Sequence, residues 1–182
     1  GGNTSFKTED TLYIKPSGVA LAEIGPEQFV ALDRTALRRI FREKLPEEVW
    51  EKEAAVKALM QAAVRPPGSG RASVEAPVHE AIEYVYVVHL HPALVNGMTC
   101  AREGRSACNL LFPNAMWLDY CNPGATLSLV VRRALKAAAA ETGRTPHVMF
   151  LQNHGVFVAA DTLAEIQALY DDFFAQLDTR KP

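Results

Sequence analysis

The sequence predicts an α/β fold in which a sheet of mixed strand direction is covered by helices. Two observations carry this expectation. Short apolar runs alternate with helix-patterned stretches along the 182 residues, and two well-patterned helices lie toward the C-terminal end. That is the order of a sheet that buries its faces under helices. Some strand candidates also stand too close together for helical crossovers, so the sheet should not be purely parallel.

Taken in order, TLYIKPSG reads as a strand over 11–15 closed by a Pro-Ser-Gly turn. EQFVALD reads as a second strand, after which Asp33 caps a helix over 35–43. PEEVWEKEAAVKALMQAA is a helix opened by Pro46 and acids, with Val49, Val56, Leu59 and Met60 near one face. RPPGSGRAS is a loop inside the fold, not a linker between domains. VEAPVHEAIE reads as a helix and YVYVVHLH as a buried strand. A helix is expected at 93–100, and short strands around Leu110 and Leu118. Pro123 and Gly124 introduce a helix that ends at Gly143. HVMFLQNHGVFVA reads as strand interrupted at 153–155, and Leu163, Ile166, Leu169, Tyr170, Phe173, Phe174 and Leu177 follow helical spacing. Residues 1–182 are therefore read as a single domain.

Composition narrows the partners. A net charge of -2 offers no broad electrostatic attraction to nucleic acid or to an anionic membrane. No apolar run reaches the roughly 20 residues of a membrane span, and no signal peptide opens the chain. Cys100, Cys108 and Cys121 are odd in number and form no CxxC, which suits a reduced, cytoplasmic setting.

The chemistry gathers at strand ends. His89 and His91 close an apolar strand, where residues i and i+2 share a face about 6–7 Å apart. Two imidazoles so placed can converge on one ion at about 2.0–2.1 Å; alternatively they are polar residues at a strand mouth, bonded to backbone or water. His154 ends a second apolar strand beside Gly155, where the chain can turn sharply. A third histidine there is what a three-histidine site with an open position would use. His147 lies at the opposite strand end, and His79, on a helix, reads either as a packing residue or as one that supports the site from behind its ligands. Glu75 alone is an ordinary helix-start acid. GGNTS and KPSG read as small-residue turns able to cradle an anion, with Lys7 or Lys15 adding charge.

In sequence order, GGNTSFK, KPSG, SVEAPVH, VVHLHP and LQNHGVFV resemble the class II aldolase/adducin family over nearly the whole chain. GGNTS and SVE…H are most similar to the branch found as the aldolase half of aldolase–dehydrogenase fusions. The resemblance implies a three-layer α/β/α fold with a largely antiparallel sheet, assembled as a homotetramer with active sites between subunits. It implies zinc or another divalent metal on His89, His91 and His154, and Glu75 as the catalytic glutamate. It also implies a phosphate cradle similar to Gly2, Asn3, Ser17, Gly18 and Ser73. One hydroxyl of that cradle is lost, because Ser73 and Val74 stand where the family's sugar-phosphate aldolases carry two adjacent serines. The family's first helix is expected to lie outside this chain.

The expected activity is a metal-dependent aldehyde-lyase of carbohydrate metabolism. It would cleave a ketose phosphate or similar small hydroxy-ketone through an enediolate, with a tyrosine such as Tyr120, from a neighbouring subunit, supplying an acid. A sugar-phosphate 4-epimerase or a dehydratase would use the same scaffold, and an adducin-like interaction domain would keep the fold without the metal. Retention of His89, His91, His154 and Glu75 together favours an enzyme.

Overall fold

The computed structural model describes residues 2–178. Eight strands form one sheet: β1 (Gly2–Lys7), β2 (Thr11–Ile14), β3 (Val30–Asp33), β4 (Val64–Arg65), β5 (Tyr86–Leu90), β6 (Met116–Leu118), β7 (Val148–Leu151) and β8 (Gly155–Ala160). Their spatial order is β4-β3-β2-β1-β5-β8-β7-β6. Every neighbouring pair is antiparallel except β6 with β7. The largely antiparallel mixed sheet expected from the family resemblance is therefore present.

Seven α-helices cover it: α1 (Arg34–Leu37), α2 (Val49–Ala63), α3 (Ala76–Ala81), α4 (Ala93–Thr99), α5 (Gly104–Leu111), α6 (Ala125–Thr142) and α7 (Leu163–Asp178). Strand alternation sorts the side chains into two layers. Val87, Met149, Leu151, Phe157 and Ala159 pack with Val78 of α3 and Leu127, Val131 and Leu135 of α6. Leu12, Ile14, Val30 and Leu32 extend this face beneath Leu37 of α1 and Val56 of α2. The opposite face presents Phe150, Val156, Val158 and Ala160 to Val95 of α4, Cys108 of α5 and Ile166 and Phe173 of α7. The result is helix, sheet and helix. No helix of the described residues is long and apolar enough to cross a membrane.

Several expectations are corrected. GGNTS is not a turn: Gly2–Lys7 form a central strand that pairs β2 on one side and β5 on the other. Leu110 lies in α5, not in a strand. Its short apolar run NLLF fits either period, and in a helix it sets Cys108 against the core while Leu110 stays exposed. Helix α2 starts at Val49, three residues after Pro46, because Glu48 is still extended. The helix expected over 35–43 divides into α1 and a 3₁₀ turn, Arg38–Phe41, with the Asp33 side chain accepting from the Ala36 N–H as foreseen. The helix expected over 74–83 is shorter, Ala76–Ala81.

Candidate functional site

One end of the sheet gathers the chemistry. β1 begins there at Gly2, β5 ends at Leu90 opposite Gly2, and β8 begins at Gly155 beside Leu90 and Val156. His89 faces the layer of α3 and is fully buried. His91 follows the strand, just before Pro92 ends the run and starts α4. His154 sits in the turn between β7 and β8, where Asn153 adopts the left-handed conformation, φ 57°. Asn153 donates its N–H to Thr99 O at the end of α4, which fixes the turn.

Gly155 does not serve the turn. A Cβ there would stand 2.5 Å from Leu90 O, 2.6 Å from His91 Cδ2 and 3.3 Å from His89 Cε1. Only a hydrogen fits between the two histidine-bearing segments. Gly2, at φ 125°, is constrained in the same way, since its Cβ would meet His89 O at 2.3 Å.

The ligand-type nitrogens of His89, His91 and His154 lie within 4.8 Å of one another. His89 Nε2 and His91 Nε2 are 2.8 Å apart. Nitrogens 2.0–2.1 Å from a tetrahedral ion stand about 3.3 Å apart, a spacing that these distances bracket. His89 Nδ1 donates to Val156 O at 2.9 Å, which leaves its Nε2 lone pair directed into the cluster. Burial holds all three imidazoles toward the neutral form, His89 down to about 3, as metal ligation requires.

Glu75 joins them. Its Oε1 lies 3.4 Å from His89 Nε2 and 3.5 Å from His154 Nε2, and has no hydrogen-bond partner among the described residues. Its Oε2 accepts from Asn3 Nδ2. Burial pushes the Glu75 carboxyl up to about 6, against the Asn3 hydrogen bond. Three imidazole nitrogens and an unpartnered carboxylate oxygen facing one point fit a divalent cation such as zinc.

The expected cradle residues are partly assembled. Asn3 Nδ2 also donates to Ser73 Oγ at 3.1 Å, and Ser73 Oγ accepts from the Glu75 N–H at 3.3 Å. Ser17 donates its N–H to Arg71 O and its hydroxyl to Ala72 O, so the KPSG turn lies along the loop before Glu75. Gly18 follows at φ 87°. Val74 points outward, 56% exposed.

The two lysines are placed differently. Lys7 sits at the far end of β1 and donates to Tyr84 O; Lys15 donates to Pro16 O and Val19 O. Lys7 is therefore remote from the cradle, whereas Lys15 folds back on the turn that carries Ser17 and Gly18. His147 is likewise remote, with Nδ1 donating to Ala159 O and its ring stacked on Tyr84. Tyr120 is 56% exposed, its hydroxyl donating to Asn122 Oδ1. Asn3 as the clasp of Glu75 was missed in the sequence, because no local pattern signals a contact between residues 72 positions apart.

An α/β/α sandwich with three histidines and a glutamate at one sheet end defines a class of metal-capable enzyme domains. The chain matches the Class II Aldolase and Adducin N-terminal domain model over residues 1–171, and it belongs to that family. It is 27% identical to the uncharacterized oxidoreductase YuxG of Bacillus subtilis (strain 168), over 89% of this chain. The chain spans only about a quarter (24%) of that protein's length. Among solved structures it is similar to the N-terminal class II aldolase domain of a conserved protein from Thermoplasma acidophilum. That match has a TM-score of 0.81 and 24% identity, covering 98% of this chain and 83% of the other. L-fuculose-1-phosphate aldolase from Thermus thermophilus matches with a TM-score of 0.56 and 20% identity, covering 98% and 80%. These structural likenesses concern the fold.

Proposed function

We propose that the chain is a zinc-dependent aldolase that cleaves a carbon–carbon bond of a ketose phosphate or a similar small hydroxy-ketone. The observation that carries this reading is the convergence of Glu75 Oε1 on the point faced by His89, His91 and His154. A divalent metal held by three neutral imidazoles keeps its full charge, and when bound it supplies Lewis-acid stabilisation of the negative charge that develops on the substrate oxygens. Glu75 takes the proton part. Its Oε1 is free of hydrogen bonds among the described residues and faces the histidine cluster, where a proton of the bound substrate would be within reach.

Asn3 holds the second carboxylate oxygen and keeps Oε1 turned toward the histidines. Gly2, Asn3, Ser17, Gly18 and Ser73 are the proposed cradle for the substrate's phosphate or an equivalent polar end, and Ser17 would exchange its bonds to Arg71 O and Ala72 O for bonds to it. Membership of the family and the fuculose-phosphate aldolase neighbour support lyase chemistry in general. The Bacillus relative, a longer protein named an oxidoreductase, supports the branch in which such a domain is joined to a dehydrogenase.

The test combines metal analysis with aldehyde release from a panel of ketose phosphates that includes L-fuculose 1-phosphate. Replacing Glu75 by glutamine should lower turnover by roughly 10²–10⁴-fold, about 3–5 kcal/mol of barrier, while bound zinc is retained. A zinc-loaded protein that releases aldehyde from no member of the panel would refute the reading.

A further inference from the structure

The inward face of β1 does more than line the site. Asn3, Ser5 and Lys7 alternate onto one face of the strand, and the first two meet α3 one helical turn apart. Asn3 holds Glu75 at the start of that helix, and Ser5 Oγ lies 2.7 Å from His79 Nδ1 on its next turn. The His79 N–H bonds back to Glu75 O at 3.0 Å, so the two residues share one turn of backbone. His79 is completely buried, and its Nε2 has no hydrogen-bond partner among the described residues.

The other side of this imidazole meets Phe157. The two rings are 5.6 Å apart at 71°, an edge contact. Phe157 in turn lies flat on His89, ring centroids 4.0 Å apart and 12° from parallel. His79 therefore touches two routes into the site. One runs through Ser5 and the α3 backbone to Glu75; the other runs through Phe157 to the ring of His89. A packing role alone calls for an apolar side chain here, since burying an imidazole with one nitrogen unpaired is costly.

We infer that His79 is a positioning residue, pinned by Ser5 so that the turn of α3 beginning at Glu75 is held in place, and backing the His89 ring through Phe157. The inference rests on the metal-dependent reading above and adds a residue outside the predicted ligand set. It makes the two routes separable. Asparagine can keep a polar partner near the Nδ1 position for Ser5 but removes the ring. Phenylalanine keeps the ring against Phe157 but removes the polar partner.

The experiment measures Zn2+ affinity by competition with a chromophoric chelator, and the visible spectrum of the Co2+-substituted protein, for wild type, His79→Asn and His79→Phe. Turnover per bound zinc is measured on a ketose phosphate that the wild type cleaves. His79→Asn should lose zinc affinity by about tenfold or more and shift the cobalt spectrum, because outer residues that orient ligands carry effects of this size. It should retain most of its turnover per zinc. His79→Phe should show the reverse, with near wild-type zinc affinity and turnover per zinc down by about tenfold or more.

Equal zinc affinities and cobalt spectra in all three proteins, with only the melting temperature lowered, would overturn the inference. So would two variants that lose both properties alike. If neither variant folds, Ser5→Ala and Phe157→Leu separate the same two routes, the first acting on turnover and the second on zinc affinity. A wild type that binds no zinc refutes the functional reading instead, so the two failures are distinguishable.

Discussion

Gly155→Ala is the sharpest test of how the site is built. The added methyl would lie 2.5 Å from Leu90 O and 2.6 Å from His91 Cδ2. An ordinary carbon contact begins near 3.5 Å, so β8 and the end of β5 must separate by about 1 Å. Neither obstacle is the free end of a flexible chain: one is the backbone of a paired central strand, the other a proposed ligand ring. Overpacking of this kind costs about 1–3 kcal/mol. The larger effect should fall on metal binding, since zinc ligands tolerate displacements of only about 0.2 Å. Urea denaturation of the metal-free protein should give the stability loss, and chelator competition should show zinc affinity reduced on the order of 10- to 100-fold. A variant with wild-type zinc affinity would mean that the close approach of β8 to β5 does not set the ligand geometry, and the reasoning would fail.

Other outcomes follow from the same geometry. His91→Ala should abolish stoichiometric zinc binding yet leave the far-ultraviolet circular dichroism spectrum unchanged; full metal content by elemental analysis would remove His91 from the ligand set. Lys7 should make stability rise with pH. Burial, the largest cause, lowers its folded-state value to about 7, while the unfolded chain titrates near 10.4, so between those values the unfolded state binds the extra proton. Across that window the gain is on the order of 4–5 kcal/mol, and Lys7→Met should flatten the pH profile relative to wild type; parallel profiles would refute it. Light scattering should give a homotetramer, and a monomer at working concentration would count against a site completed by a neighbour.

The gathering of His89, His91 and His154 was legible in the sequence because each lies at or just past the end of an apolar run, and strand ends are where side chains from distant segments meet. The period-2 pattern of VYVVHLH was enough to place His89 and His91 together. β1 was not legible. GGNTSFK carries two glycines and only one large apolar residue, so local propensity reads it as a turn, and only its pairing on both sides makes it a strand. The role of Gly155 was misread for a related reason: the sequence suggests a turn, but the constraint is a neighbouring carbonyl. Lys7 was misplaced because charge alone does not reveal which end of a strand it occupies: it lies at the end of β1 away from Gly2, bonded to Tyr84 O.

The place of β1 in the sheet also orders events during synthesis. β1, β2 and β3 can pair as soon as they emerge, but the other edge of β1 stays open until β5 has been made, more than 80 residues later. At about 5–20 residues per second that interval lasts several seconds, during which an unpaired strand edge is exposed to other chains. β5 must then wait for β8 before its own outer edge closes. Since His89 lies on β5 and His154 just before β8, the pocket for the metal and the last open edge of β5 are completed by the same pairing, so a zinc-competent chain is one whose central strands no longer offer an edge to its neighbours.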